Sequence, residues 1–506
     1  IVELILLFYF FYYYLKNKKI NISNKLTVKN YFYLFFIVNL ILISILPISD
    51  ADSVVYHLAM PFNIYGMGEF PNNFSKYFEY AMFGNSEILL FFSVLLKSDN
   101  FGSILNLFTL FFFIFTQKNS KYFKLIIFST PLLIFFISTQ KLQLFFGILF
   151  LLLFILIHEK KLKSNLEIFL TILLLFFYIS GKSSYILLSI PLFIYLFIQI
   201  KNIKLIFVSF IFGFILFLLP IYYLKFVNFG NFISPFFENI FGQNQIIFNA
   251  LSSWMKTNQG WTLDTKFNFN YLIRPFFPIS LGKISEGFGL MFLIMLLNKK
   301  IIKELHYIPV IMILIIFAVG QTLPRYYFEA YLILAYYFNK SNKFTEIVIF
   351  SQISIIFLLT LTFNFFSYKE ILNKDFKNRY MEKFSYSYLN SKLVKKEKLQ
   401  GNILTFSTGR NTIFFDNNLY SPMYIGVMSA FNKEYKKNVS NFISENNINF
   451  VITSDIKKDL GLPMECYSFE KKDDILQKSV VRNFFVNLRS KNGQNYSIYN
   501  VINDCK

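Results

Sequence analysis

SDADSVVYHLAMP, residues 49–61, follows directly on an apolar run, residues 31–48, that is long enough to cross a bilayer. The stretch carries two carboxylates, Asp50 and Asp52, and one of the chain's three histidines, His57. An apolar helix that runs straight into an acidic pair puts that pair at a water boundary. No soluble core requires such an arrangement.

The chain has 506 residues, is 55% hydrophobic and has a mean hydropathy of +0.48, too apolar for a soluble protein. Its 70 Phe and 33 Tyr are read as drift from an AT-rich genome and given no functional weight. A net charge of +21 would suit a nucleic-acid partner. The lysines instead sit in short loops between apolar runs, which is how positive charge sets membrane topology, so nucleic acid is set aside. No cleavable signal peptide is recognisable, and a true start upstream of Ile1 is expected.

Residues 1–15 are apolar, and KNKKINISNKLTVKN after them is expected in the cytoplasm. The run 31–48 then leads outward to a mixed loop, 49–99. Further spans are read near 100–116, 124–138, 142–157, 167–179, 185–199 and 203–221. A second long loop, 222–283, precedes spans near 284–297, 306–320, 326–338 and 345–366. The loops holding Lys118, Lys160, Lys201, Lys299 and Lys340 are all basic and all fall on the side of the first lysine cluster. The expected fold is an α-helical polytopic membrane protein of about 11–12 transmembrane helices, residues 1–366. Residues 367–506 are polar, with β-like runs at 402–406, 448–455 and 496–502 and a helical stretch before the second. They read as a small extracytoplasmic α/β domain. Its two cysteines, Cys466 and Cys505, either pair or remain free thiols.

Cations that break the charge pattern are the informative ones. STQKLQ with Lys141, SGKSSY with Lys182 and TLPRYYFE with Arg325 each place one at an outer helix end. Such residues either snorkel to lipid phosphates or build a site for a phosphorylated headgroup. Asp50 and Asp52 either cap a helix or supply a general base for an acceptor hydroxyl. They also form a D-x-D pair, but no third hard ligand for a divalent metal is evident and no cofactor is assigned. Helical spacing puts Tyr56 on the face of Asp52, and His57 on that of Asp50. Glu79 and Glu87 lie further along the loop as weaker candidates. So do Asn231, Lys256 and Arg274 in the second loop, whose Trp254 and Trp261 read as interface anchors or sugar-stacking platforms.

DSVVYHLAMP after an early span resembles the GT-C superfamily of membrane glycosyltransferases. The nearest branch holds protein O-mannosyltransferases, the aminoarabinose transferase of lipid A and lipopolysaccharide-core sugar transferases. FGNFISPFF (229–237), QKLQ (140–143), GFGLMFLIML (287–296) and LPRYYFEAYLIL (323–334) look like further motifs of that family. The resemblance implies a polyprenyl-phosphate sugar donor, a lipid, glycan or protein acceptor, and inversion at the anomeric carbon. It implies a bacterial inner-membrane enzyme acting on the periplasmic side. Asp52 would be the base, and Lys141, Lys182 and Arg325 would face the donor phosphate, with Tyr326 beside them. Many members have adjacent acidic residues in the first loop, whereas Ala51 separates the two here, so Asp50 stays a candidate. The rival readings are a flippase, which should show repeated halves, and an O-antigen polymerase or ligase, which should carry paired arginines in large outer loops.

Overall fold

A computed structural model describes residues 28–504, apart from 51, 69–77, 117–121, 201, 235–239, 242–269, 278–285, 320–322, 340–341, 369–374, 386–387, 407–416, 421–432, 463, 465 and 478–493. The chain is mostly helical, with a small sheet near its C-terminal end. The helices used below are α1 (Val28–Ser44), α2 (Ala59–Met67), α3 (Asn85–Leu89), α4 (Phe101–Thr116), α5 (Gln143–His158), α6 (Asn165–Gly181) and α7 (Tyr185–Gln199). They continue with α8 (Ile203–Phe229), α9 (Leu290–Leu297), α10 (Ile308–Ala318), α11 (Phe328–Tyr337) and α12 (Lys343–Tyr368).

Helix α5 is apolar on every face, so it can be stable only if surrounded. It is buried along nearly its whole length and packs against α4, α6 and α11. Helices α8 and α12, of 27 and 26 residues, are long and apolar enough to cross a membrane. The other apolar helices are shorter; the 16 residues of α5 extend roughly 24 Å.

Several boundaries differ from those expected, each for a local reason. The run 124–138 is two short helices, Phe123–Phe128 and Leu132–Ile137, parted at Pro131. Proline has no N–H to extend the first helix and suits the start of the second. Helix α8 was expected to end near 221, but it continues to Phe229. A π turn, Phe214–Leu218, absorbs the donor lost at Pro220. The second long loop therefore begins after Phe229 rather than at 222. Helix α9 starts late because Gly289 has φ +91°, and a Cβ there would meet the side-chain amide of Gln352 at 2.2 Å.

Four aromatic contacts gather one end of the helical body. His158 at the end of α5 lies 6.1 Å from His306, and Tyr195 near the end of α7 lies 5.4 Å from His306. Tyr337 at the end of α11 lies 5.1 Å from His158, and Phe338 lies 6.2 Å from Tyr122. The described segments bearing Lys160 and Lys299 adjoin His158 and His306.

The C-terminal sheet has the order β2-β1-β3-β5-β4. β1 (Asn402–Thr405) is parallel to β2 (Leu419–Tyr420) and to β3 (Ile448–Thr453). β5 (Gln494–Asn503) runs antiparallel between β3 and β4 (Tyr467–Gln477). Three of the five strands match the expected runs. β4 reads YSFEKKDDILQ, whose charges hide its pairing, and β2 has only two residues. The sheet is not free of the helical body. Met60, Tyr80, Phe83, Ile221 and Phe229 share one apolar core with Leu404, Tyr420, Val439 and Val451. Cys466, just before β4, is disulfide-bonded, and the chain's other cysteine is Cys505.

Candidate active site

The turn after α1 is shaped by Asp50. Its carboxylate accepts from the backbone N–H of Ser53 at 3.0 Å and from the Ser53 hydroxyl at 2.9 Å. Ser53 in turn accepts the N–H of Gln140 at 2.8 Å. Asp50 thus works as a cap that ties the first loop to the turn bearing Lys141. Residues Ser53–His57 form a π-helical turn, a local widening often found at functional sites.

Asp52 points elsewhere. Lys141 Nζ donates to its Oδ2 at 2.5 Å. The Lys141 side chain is only 8% exposed, whereas that of Asp52 is 47% exposed, so the pair is closed on the lysine side and open on the carboxylate side. The surrounding protein opposes ionisation of Asp52, but Lys141 and Arg325 outweigh it and hold the carboxyl far below the usual carboxylate range.

Two aromatic rings link the cations. Lys141 Nζ is 4.6 Å from the centre of the Phe135 ring, and the Arg325 guanidinium carbon is 5.7 Å from the same ring. Arg325 is also 5.4 Å from the Tyr326 ring, over which Lys182 Nζ sits at 4.9 Å. Asp52, Lys141, Arg325, Tyr326 and Lys182 are therefore one continuous cluster drawn from four distant segments. Cation–ring contacts partly offset the mutual repulsion of three positive charges. Burial together with Arg325 and Lys141 pushes the Lys182 ammonium below its usual value, which a bound anion would reverse.

Each cation is held by neighbours chosen for that purpose. In α4, Asn106 donates to the carbonyls of Phe136 at 3.0 Å and Lys141 at 2.7 Å and accepts from Phe145 N–H at 3.0 Å. Gln140 accepts from Gly102 N–H and donates to Ser103. A polar strip on an apolar helix thus fixes the Lys141 turn. Gln143 donates to the Arg325 carbonyl, joining that turn to the third cation.

The Lys182 turn is fastened to α3. Asn85 donates to the Ser180 hydroxyl at 2.6 Å, and Ser86 donates to the Gly181 carbonyl at 2.7 Å. The same short helix carries Glu87, whose Oε1 lies 2.7 Å from His57 Nδ1, both side chains being buried. Burial holds the imidazole below its usual pKa despite Glu87, so it is neutral at pH 7 and its Nδ1–H donates. Glu87 Oε2 also accepts the N–H of Gly84 at 2.9 Å.

Of the weaker candidates, Asn231 is fully buried and accepts the N–H of Ile233 at 3.1 Å, shaping a turn. Arg274 pairs with Glu286. The side chains of Tyr56 and Glu79, together with Trp254, Lys256 and Trp261, lie outside the described residues. One buried cation escaped the sequence reading. Lys225 donates to the Ser183 hydroxyl at 3.1 Å and to the Ser234 carbonyl at 2.7 Å, tethering the second loop to the Lys182 turn. Sequence alone places Lys225 in the second long loop, whereas the helix continues past Pro220 to Phe229.

A cavity of about 470 Å³ lies behind the first-loop turn and is lined by Val54 and Leu58, not by the cations. The charge cluster, not this cavity, marks the candidate site, because chemistry needs the ionisable groups.

Comparison with known proteins gives one family. The family model described as the DUF1420 N-terminal domain matches residues 4–372, and the chain belongs to that family. No curated protein and no solved structure matches the chain.

Proposed function

We propose that this member of the DUF1420 family is a multi-pass membrane glycosyltransferase of GT-C type, moving a sugar from a polyprenyl-phosphate donor to an acceptor at the periplasmic face. The observation that carries the reading is the convergence of Asp52 with Lys141, Arg325 and Lys182 from four separate segments. A carboxylate facing three cations suits a reaction that needs one base and one stabilised phosphate.

In this mechanism the acceptor oxygen attacks the anomeric carbon as the bond from that carbon to the phosphate oxygen breaks. The hydroxyl proton passes to Asp52. Negative charge grows on the departing phosphate, where Lys141, Arg325 and Lys182 are already oriented to receive it. In the free protein Lys141 neutralises Asp52. The donor phosphate competes for Lys141 and Arg325, which weakens their hold on Asp52 and makes it a better base. Asp50 is the cap and Asp52 the base.

Membrane placement is supported by α8 and α12 and by the apolar side chains that face outward. Phe207, Ile211, Ile215 and Phe226 on α8 are exposed, as are Ile347, Phe350, Leu358 and Phe365 on α12. Apolar faces of that extent in water would be unstable. The cation cluster and the basic loops sit with opposite ends of the same helices: α5 begins beside Lys141 and ends at His158, near His306. A disulfide-bonded Cys466 favours an oxidising compartment for the sheet.

The decisive experiment is sugar transfer by the purified protein from a panel of polyprenyl-phosphate sugars, wild type against Asp52→Asn. Turnover with at least one donor, falling about 10²–10⁴-fold in the variant, is expected. An Asn variant that turns over at the wild-type rate would end the proposal.

A further inference from the structure

The cavity of about 470 Å³ behind the first-loop turn has no part in the chemistry above. Its size is within the roughly 300–1,000 Å³ of small-molecule sites. Its floor is apolar: Val54 and Leu58 come from the back of the turn that carries Asp52, and Met381 comes from the helix Phe376–Phe384 that leads to the sheet. All three are buried. Its rim is basic. Lys377, Lys392 and Lys395 border it, against the single carboxylate of Asp99.

We propose that this cavity binds an anionic amphiphile, an alkyl chain carrying a phosphate head. An apolar floor below three rim ammonium groups matches that chemistry. A neutral lipid would make no use of the rim's charge, and a free phosphate would leave the floor unfilled. Lys377 Nζ sits 2.7 Å from Asp99, but both side chains are solvent-exposed, and such pairs yield readily to a better anion. Lys392 likewise holds Glu382 at 2.5 Å across an exposed surface. The occupant would bridge the helical body and the C-terminal segment, since the two supply opposite walls. The inference does not depend on the glycosyltransferase reading, because it concerns binding and not turnover.

The test uses the full chain in nanodiscs of zwitterionic lipid and a dodecyl phosphate bearing a terminal diazirine. Saturable photolabelling within residues 48–62 or 376–395 is expected. The double variant Lys392→Gln, Lys395→Gln should bind about tenfold more weakly, the scale of one lost charge-assisted hydrogen bond, at an unchanged melting temperature. Ser391→Trp, which fills the cavity from its wall, should remove the labelling while helix content by circular dichroism stays the same. Equal labelling of the same segments by a dodecyltrimethylammonium diazirine overturns the proposal, since chain length alone would then suffice. Full protection by inorganic phosphate also overturns it, by showing a plain anion site. Undiminished labelling in both variants does the same.

Discussion

Asp50 and Asp52 sit two residues apart and have different work. Asp50 accepts two hydrogen bonds from Ser53, so Asp50→Ala should cost about 1 kcal/mol of stability as a lost cap while leaving much of the transfer rate. Thermal melts and transfer rates measured side by side check this, and a rate loss as deep as that of Asp52→Asn would reverse the two roles. His57 gives a pH signature. Its folded pKa is lowered by burial, so the unfolded chain binds the proton more readily between that value and about 6.5. Stability from the neutral imidazole is then full above about pH 6.5 and lost as pH falls below it. Asp52 behaves likewise but in a lower window, below its ordinary value of 3.8, so the two are separable. Melting temperatures between about pH 5 and 7 should fall less on acidification in His57→Gln than in wild type. An identical slope would show that His57 is not the group responsible.

Short helices, more than long ones, assemble the site. α3 is only five residues, yet it carries Glu87 to His57 and binds the Lys182 turn through Asn85 and Ser86. Gly84 at its start leaves no room for a side chain: a Cβ there would meet the carbonyl oxygens of Ser180 and Gly181 at 2.6 Å. Those atoms are backbone and cannot swing aside. Gly84→Ala should therefore destabilise by about 1–3 kcal/mol through overpacking and should shift the Lys182 turn. A denaturation midpoint equal to wild type would contradict the packing described here. The glycine could not be read as critical from sequence, because its neighbours lie some 95 residues away along the chain.

At the scale of the molecule, α5 runs from the charged cluster at Lys141 to His158, beside which lie His306 and the described basic turn at Lys160. The matching prediction is topological. In a background lacking Cys466 and Cys505, a cysteine placed at exposed Lys163 should react with an impermeant maleimide only after the membrane is opened. A cysteine at exposed Lys472 should react in intact spheroplasts. Both positions reacting alike would refute the orientation.

Much of this was legible in the chain itself. Apolar blocks, their spacing and the alternation of lysine-rich loops determine a mostly helical body with a polar, strand-bearing tail. That is so because hydropathy and charge act locally and add along the sequence. The odd cations Lys141, Lys182 and Arg325 were also visible, since each stands where its neighbours forbid charge. Only the tertiary structure decided that Asp52 faces them while Asp50 turns back to Ser53, that Glu87 reaches His57, and that α8 carries Lys225 past Pro220. Those outcomes depend on contacts between segments scores of residues apart, and on a π turn whose widened backbone no local pattern announces. Direction in space is set by packing, and packing is not written in any single stretch of sequence.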